Sequence, residues 1–183
     1  EAALNISPLS QRVSTLFYNI SADVDINASA AVYAAQGKVF FNPNILEVVA
    51  LEEGNFLKKD GQSTFFISKV NNSAGFIEFA ATRLGPVGGV SGKGSLVEVT
   101  FQAKSGGNSS LALQNVILID SGQAIAISTA DGEVNVAVLD GDVTNDCKVN
   151  IFDLATVGKA FGSQEGQAGF NPAADLKRDG IIN

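Results

Sequence analysis

Residues 142–153, with the sequence DVTNDCKVNIFD, place oxygen-bearing side chains at regular intervals ahead of an apolar segment. Calcium takes about six to eight oxygen ligands, and a twelve-residue loop of the EF-hand type supplies them from positions 1, 3, 5, 7, 9 and 12. The ligands predicted by this spacing are the side chains of Asp142, Thr144, Asp146, Asn150 and Asp153 and the backbone carbonyl of Lys148. The residue types and their spacing therefore predict a Ca²⁺ site.

Two other positions of the loop bear on this prediction. Val149, at position 8, is the apolar residue expected to tie the loop to a neighbouring loop. Cys147 takes position 6, where Gly normally allows a sharp turn, so a positive φ there would carry a conformational cost. Cys147 is the single cysteine of the chain. We expect an unpaired thiol beside the ion, and a disulfide to another chain is the alternative.

A partial second copy of the pattern, DLKRDGIIN, begins 33 residues later, at Asp175. Its ligand positions 1, 5 and 9 are Asp175, Asp179 and Asn183, and position 7 is the backbone carbonyl of Ile181. Lys177 stands at position 3, which calls for an oxygen, and position 12 lies beyond Asn183, so this second site cannot close by itself. For one loop alone, an acidic turn ahead of a helix is the alternative, because Asp and Asn favour turns and helix caps. The repeat favours metal binding.

A helix is predicted directly after the first loop. In the segment IFDLATVGKAFG, apolar residues recur at helical spacing, and Leu154, Val157 and Phe161 are expected to form its buried face. This interpretation leaves Ile151, Phe152 and Lys159 off the buried face.

The residues before the loop predict β structure. Segments 16–26 and 95–104 alternate apolar and polar residues, and segments 64–70 and 75–84 flank a short connection typical of a hairpin. Eight or nine short strands with Gly-rich turns indicate two antiparallel sheets packed face to face. The alternation stops at Leu139, so we place the domain boundary at 138/139.

Composition excludes several classes of function. The chain of 183 residues has a net charge of −7, no His, no Trp and one Cys. These counts argue against a nucleic-acid footprint, His-based catalysis and zinc sites built from His or several Cys. The adjacent carboxylates Glu52 and Glu53 would point to opposite faces of a strand, so they do not predict a glycosidase pair. We expect no enzyme activity.

Other features point to an exported protein. The chain begins at Glu1 and contains no Met, so it is expected to be a processed product, and no apolar run approaches the roughly 20 residues of a membrane span. Five Asn-x-Ser sequons occur where composition alone would give roughly two. These glycosylation candidates, for which an accidental origin is the alternative, are Asn5, Asn19, Asn27, Asn71 and Asn108.

Two parts of the sequence resemble a known pair of families. GDVTNDCKVNIFDLATVGKAFG followed by NPAADLKRDGIIN resembles a dockerin, a small calcium-binding module of two loop–helix repeats. GKVFFNPNILEVVALEEGNFL, TRLGPVGGVSGKGSLVEVTFQAKSGG and LALQNVILIDSGQAI resemble successive parts of a cohesin, the nine-stranded jelly-roll sandwich that binds dockerins. The resemblance implies a mainly β chain, with a cohesin-like jelly-roll β-sandwich of about nine strands in 1–138. It also implies a dockerin-like module in 139–183 whose second repeat is truncated.

The resemblance also implies protein partners: cohesin or dockerin modules, copies of this chain included. Dockerin recognition centres on loop positions 10 and 11 and nearby helix residues, which are Ile151, Phe152 and Lys159 here. The alternative is that Ile151 and Phe152 pack against the chain's own sandwich. On the cohesin side one sheet face binds the partner, and residues 34–36 fall in that neighbourhood without matching the polar residues of cellulosomal examples.

The favoured interpretation is a secreted or cell-surface, non-catalytic assembly protein that acts through calcium-dependent cohesin–dockerin contacts. Because one chain carries both modules, head-to-tail self-assembly into filaments is a hypothesis. The alternative is a carbohydrate-binding or adhesive β-sandwich with a structural calcium site. The absence of Trp weakens that alternative, which leaves carbohydrate as an attached glycan or a weak ligand.

Overall fold

Thirteen strands, one α-helix and two short 3-10 helices make up the regular structure of the described residues. The structure is a computed structural model that describes residues 1–13, 19–137, 141–144, 146, 148–177 and 179–183. The helix is α1 (Ile151–Ala160), and the 3-10 helices are Phe56–Lys58 and Pro172–Ala174. The strands are β1 (Ala2–Ser7), β2 (Ser10–Val13), β3 (Asn19–Ser21), β4 (Asp23–Val32), β5 (Ala34–Phe40), β6 (Leu46–Glu53), β7 (Thr64–Asn71), β8 (Phe76–Arg83), β9 (Val90–Ala103), β10 (Gly107–Asp120), β11 (Gln123–Ala124), β12 (Ile127–Ala130) and β13 (Gly132–Val136).

The first sheet is built around the long strand β9. Its order is β12-β1-β4-β9, with β3 and β6 also paired to β9. Ile20 of β3 and Val48 of β6 both pair with Phe101, so these two strands flank opposite edges of β9. Strand β3 thus continues the line of β4 along one edge.

The second sheet has the order β2-β13-β10-β5-β8-β7, with β11 paired to the end of β10. Strands β7 and β8 form the predicted hairpin, in register from Thr64 opposite Arg83 to Asn71 opposite Phe76. This sheet presents one face to the core and the other to solvent.

Two edge pairings correct the expectation of purely antiparallel sheets. Strand β1 pairs with β12 in parallel, and β2 pairs with β13 in parallel. The consecutive strands β1 and β2 lie in different sheets, and so do β12 and β13. In each sheet, therefore, one N-terminal strand runs beside one of the last two strands and in the same direction. We predicted no strand in residues 1–13, and these two are additions to the expected set.

The core lies between the two sheets and follows the predicted alternation. Ile20, Val24 and Ile26 are buried from one segment, and Val97 and Phe101 from another. The Phe101 ring meets the Phe41 ring, which lies just after β5 of the second sheet, edge-on at 5.3 Å between centroids. The predicted mainly β sandwich is confirmed.

The last strand of the sandwich ends at Val136. A separate small cluster of buried residues follows in the C-terminal part: Val143, Ala160, Ala174 and Ile182, with Val157 and Phe170 packed against them. Residues 138–140, which contain the predicted boundary, and residues 16–18 of the predicted first strand lie outside the described part. The division at 138/139 stays a prediction.

Candidate metal centre and docking surfaces

Three carboxylates of the first loop converge. One oxygen each from Asp142, Asp146 and Asp153 lies within 4.8 Å of the other two, and among the described residues this is the acidic group that could hold a metal ion. Asp142 and Asp153 are buried and Asp146 is exposed, so the group opens to solvent on one side. Like charges this close repel each other unless a cation lies among them.

The backbone folds around these carboxylates through hydrogen bonds. The Asp146 amide donates to Asp142 Oδ1 at 3.0 Å, and the Lys148 amide donates to Asp146 Oδ1 at 2.9 Å. These bonds wind the loop so that its carboxylates face inward. The predicted ligands Asp142, Asp146 and Asp153 are thereby brought together.

Asp153 joins the loop to the helix. Its Oδ1 accepts from the Thr144 amide at 2.9 Å and from Thr144 Oγ1 at 2.8 Å, and its Oδ2 accepts from the Asn150 amide at 2.7 Å. Asn150 is the N-cap of α1, and its Oδ1 accepts from the Phe152 amide at 2.8 Å. This reciprocal capping box satisfies free donors of the first helical turn.

The protonation state of Asp153 follows from these bonds. Its side chain is only 2% exposed. The hydrogen bonds from the Thr144 amide, first, and the Asn150 amide hold its pKa at about 2, although burial acts in the opposite direction. Because hydrogen bonds to the charged form favour that form, Asp153 is a carboxylate at neutral pH, as a metal ligand must be.

The set of predicted oxygen ligands fits a hard cation such as Ca²⁺. Thr144 and Asn150 lie beside the three carboxylates, each hydrogen-bonded to one of them. All predicted side-chain ligands carry oxygen, which suits Ca²⁺ rather than a metal that prefers sulfur or imidazole. Cys147, and with it the prediction about its thiol, lies outside the described residues.

The second loop repeats the backbone pattern of the first. Asp175 accepts from the Asp179 amide at 3.3 Å and from the Gly180 amide at 2.8 Å, and Asp179 Oδ1 accepts from the Ile181 amide at 3.1 Å. The bonds from the Asp179 and Ile181 amides join the same loop positions as those from the Asp146 and Lys148 amides. At the ligand end, however, Lys177 Nζ donates to Asn183 Oδ1 at 2.5 Å. Sequence spacing predicted the repeat, but the ammonium contact is a finding of the structure.

The buried face of α1 differs from the predicted one. Leu154 and Phe161 are 65% and 68% exposed, so their assignment to the buried face was wrong. Asp153 and Ala160 are buried instead, and Val157, as predicted, faces the small core. Leu154 is exposed because the neighbouring Asp153 carboxylate points inward, and consecutive residues of an α-helix point about 100° apart.

The apolar residues at position 8 also behave differently in the two loops. Val149 is exposed, which contradicts its expected role in tying the loops together, whereas Ile182 is buried in the C-terminal core. In the described part the second loop instead pairs with the segment after α1, through an isolated bridge between Gln164 and Ile181.

The start of α1 presents an apolar surface to solvent. Ile151 and Phe152 are 67% and 69% exposed. Neither is covered by the sandwich of its own chain in this structure, and Lys159 is exposed on the same helix. With Leu154 and Phe161 they form the α1 surface, defined as Ile151, Phe152, Leu154, Lys159 and Phe161.

The outer face of the second sheet forms a shallow groove of about 370 Å³. Strand register places Ile67, Ala80, Gln36 and Ile117 in one row across β7, β8, β5 and β10. The next row contains Lys69, Glu78, Lys38 and Gln114, in which Lys38 pairs with Glu78. We call these eight residues the sheet face. Of the predicted neighbourhood 34–36, Gln36 belongs to it, Ala34 is half-buried and Ala35 is buried.

The middle residue of the sequon is buried in four of the five cases, three on the first sheet and Ser109 on β10 of the second. Ile6, Ile20 and Ala28 are buried, so their flanking Asn and Ser residues share the outer face of the first sheet. Among the candidates, Asn19, Asn27 and Asn108 are exposed, and Asn5 and Asn71 are half-buried.

The fold and the loops together define the class of protein: a β-sandwich followed by a loop–helix unit with an EF-hand-type acidic site. The cohesin domain model matches residues 18–136, and the dockerin type I domain model matches residues 140–183. The chain belongs to the cohesin family and carries a dockerin type I domain after its cohesin domain. The predicted order of the two modules is confirmed.

Solved cohesins share the fold. A non-cellulosomal cohesin from the hyperthermophilic archaeon Archaeoglobus fulgidus has a TM-score of 0.61 at 19% identity, over 75% of this chain and 91% of that one. The third ScaC cohesin of Acetivibrio cellulolyticus, solved with the ScaB dockerin, has a TM-score of 0.61 at 14% identity, over 74% and 99%. A type II cohesin from the cellulosome of Acetivibrio cellulolyticus has a TM-score of 0.59 at 15% identity, over 73% and 95%. No curated protein matches the chain significantly.

Membership defines the general role. Cohesin and dockerin are non-catalytic modules that bind each other, so the predicted class of protein partner is confirmed. Such modules are typically extracellular components of cellulosomes, and dockerin type I domains bind calcium. None of the helices in the described ranges has the length and apolar character needed to span a membrane.

Proposed function

We propose that this chain is a secreted, calcium-dependent assembly protein that joins other copies of itself head to tail. The α1 surface of one copy binds the sheet face of the next. The observation that carries the proposal is the exposure of Ile151 and Phe152 at the start of a helix whose first turn is capped by a predicted calcium ligand.

Calcium would act on the α1 surface through the loop. The ion would be held by Asp142, Thr144, Asp146, Asn150 and Asp153 and by the Lys148 carbonyl, and it would neutralise three converging carboxylates. Asp153 is both a proposed ligand and the group that caps α1, so ion binding and helix order are linked. Calcium would therefore fix the position of Ile151 and Phe152.

The sheet face offers chemistry that suits the α1 surface. Its first row is apolar at Ile67, Ala80 and Ile117, matching a helix surface rich in large apolar side chains. Its second row carries Lys38 and Lys69, which would lie near the acidic loop at the start of the helix. Buried aromatic and aliphatic anchors contribute most of the free energy at such interfaces, and charges add orientation.

Head-to-tail binding requires that the two surfaces of one chain cannot satisfy each other. The sandwich ends at Val136 and the loop begins at Asp142, and such a short connection restricts return of α1 to the chain's own sheet face. A heterologous contact of this kind gives a filament unless the rotation closes a ring. Glycans on the three sequons of the first sheet would lie away from the sheet face, whereas glycans at Asn71 or Asn108 would lie on the sheet that carries it.

Light scattering on the full chain over a range of concentrations tests the proposal. With Ca²⁺ in excess, the weight-average mass should rise steadily with protein concentration, and addition of a chelator should return it to the monomer value. A chain that stays strictly monomeric at high concentration with calcium would contradict self-assembly.

A further inference from the structure

The second loop contains a positive charge at a ligand position. Lys177 occupies position 3, and its ammonium donates to the side-chain oxygen of Asn183 at position 9, at 2.5 Å. In the first loop the same two positions are Thr144 and Asn150, which present an oxygen each. The two loops share the amide-to-carboxylate hydrogen bonds from positions 5 and 7, but position 3 is a neutral hydroxyl in the first loop and an ammonium in the second.

The charges at the ligand positions differ accordingly. Over the side-chain positions that both loops contain, which are 1, 3, 5 and 9, the first loop carries the carboxylates of Asp142 and Asp146, a formal charge of −2. The second loop has the carboxylates of Asp175 and Asp179 and the ammonium of Lys177, which sum to −1. An ammonium has three donors and no lone pair, so it cannot ligate a metal and would repel a dication beside it.

The geometry points to Lys177 as the residue that keeps calcium out of the second loop, because its ammonium stands at position 3 and engages the Asn183 oxygen at position 9, so that the chain binds one Ca²⁺, in the first loop. This inference rests on the proposed function only for the ion in the first loop. Its consequence is that the second loop keeps Asn183 engaged and Ile182 in the C-terminal core without a metal. Removal of calcium should then act on the first loop alone.

Counting bound ions by native mass spectrometry tests the inference. Titration of the full chain with Ca²⁺ should give one ion per chain, and Lys177→Asp, which places a carboxylate at position 3, should add a second ion whose remaining coordination positions are filled by water. Lys93→Asp is the matched control, because it makes the same change of charge at an exposed site of the sandwich and should leave the count at one.

Each result has a defined meaning. Two ions on the unmodified chain would overturn the inference, and so would a count that Lys177→Asp does not raise. A gain of one ion in Lys177→Asp but not in Lys93→Asp supports it. Asp142→Ala separates the two proposals, because loss of the single ion confirms the first loop as the calcium site independently of Lys177.

Discussion

Asp153 is the residue through which a metal ion in the first loop would control the helix. It accepts three hydrogen bonds from Thr144 and Asn150, and it completes the capping box of the helix that carries Ile151 and Phe152. One of its oxygens also lies within 4.8 Å of one oxygen each of Asp142 and Asp146. A single buried carboxylate thus has a structural role and a predicted role as a metal ligand.

Asp153→Asn should weaken calcium binding by more than about tenfold, because it removes a charged ligand and one of the acceptors that orient Thr144 and Asn150. Isothermal titration calorimetry with Ca²⁺ measures the effect. Asp179→Asn makes the same substitution in the second loop and should leave the affinity within about twofold of the unmodified chain. Equal losses in both variants would contradict the assignment of the first loop.

In the sandwich, Arg83 and Asp60 form a pair whose strength depends on pH. Arg83 is buried and Asp60 is partly exposed, and the guanidinium bonds both carboxylate oxygens, at 3.0 and 2.6 Å. The hydrogen bond from Arg83 is the main cause that lowers the pKa of Asp60 below 3.8. The folded state therefore favours the carboxylate, and this stabilisation is present above pH 3.8 and lost as pH falls through the lowered pKa.

Asp60→Asn should lower the melting temperature at neutral pH, and the difference from the unmodified chain should shrink as the pH falls below 3.8 and through the lowered pKa of Asp60, where Asp60 itself becomes protonated. Thermal unfolding over this pH range measures it. Comparison with the variant is needed because burial raises the pKa of Asp23, which acts in the opposite direction. Asp120→Asn is the control, because the half-buried Asp120 forms no ion pair among the described residues, and a difference independent of pH would refute the ionic role of Asp60.

At the scale of elements, the C-terminal unit depends on a very small core. Ile182 is 1% exposed and packs with Val143, Ala160 and Ala174, whereas the adjacent Ile181 is 39% exposed. Ile182→Ala should destabilise this unit by about 2–5 kcal/mol, a loss large enough to unfold a small domain. Ile181→Ala should cost less than about 1 kcal/mol.

Hydrogen exchange measured by mass spectrometry locates the effect. In Ile182→Ala, peptides from α1 and both loops should exchange faster while those from β9 and β10 keep their protection. Similar protection of α1 in the Ile182 and Ile181 variants would show that the cluster does not hold the unit together.

The sequence predicted best those features whose determining residues all lie within one short segment. The strand around Val97 and Phe101 was predictable because burial on one face imposes a period of two, and the loop was predictable because all its ligands lie within twelve residues. The buried face of α1 was not, since Leu154 and Asp153 compete for it and a carboxylate engaged by Thr144 and Asn150 prevails. An apolar pattern alone does not reveal such a bond.

Features that combine segments far apart in the chain could not be predicted from the sequence. The sheet face combines β5, β7, β8 and β10, and its rows depend on register and on a bulge in β10 between Gln114 and Ile117. The parallel pairing of β1 with β12 joins segments more than a hundred residues apart. A single sequence contains no local signal for these pairings.

At the scale of the whole molecule, the two proposed surfaces are different, and this difference can be tested by complementation. Phe152→Asp should disable the α1 surface, and Ile67→Asp should disable the sheet face, because each places a charge on an exposed apolar contact residue without disturbing a core. With calcium, each variant alone should remain monomeric, since every contact needs one intact surface of each kind.

An equimolar mixture of the two variants should form a 1:1 dimer and stop there. The Ile67→Asp chain contributes an intact α1 surface, the Phe152→Asp chain contributes an intact sheet face, and the remaining two surfaces are both disabled. Analytical ultracentrifugation with calcium measures the species, and a chelator should dissolve the dimer. If the helices instead paired with each other in a symmetric dimer, Ile67→Asp alone would dimerise and the mixture would gain nothing, so the pattern of recovery identifies which surfaces meet.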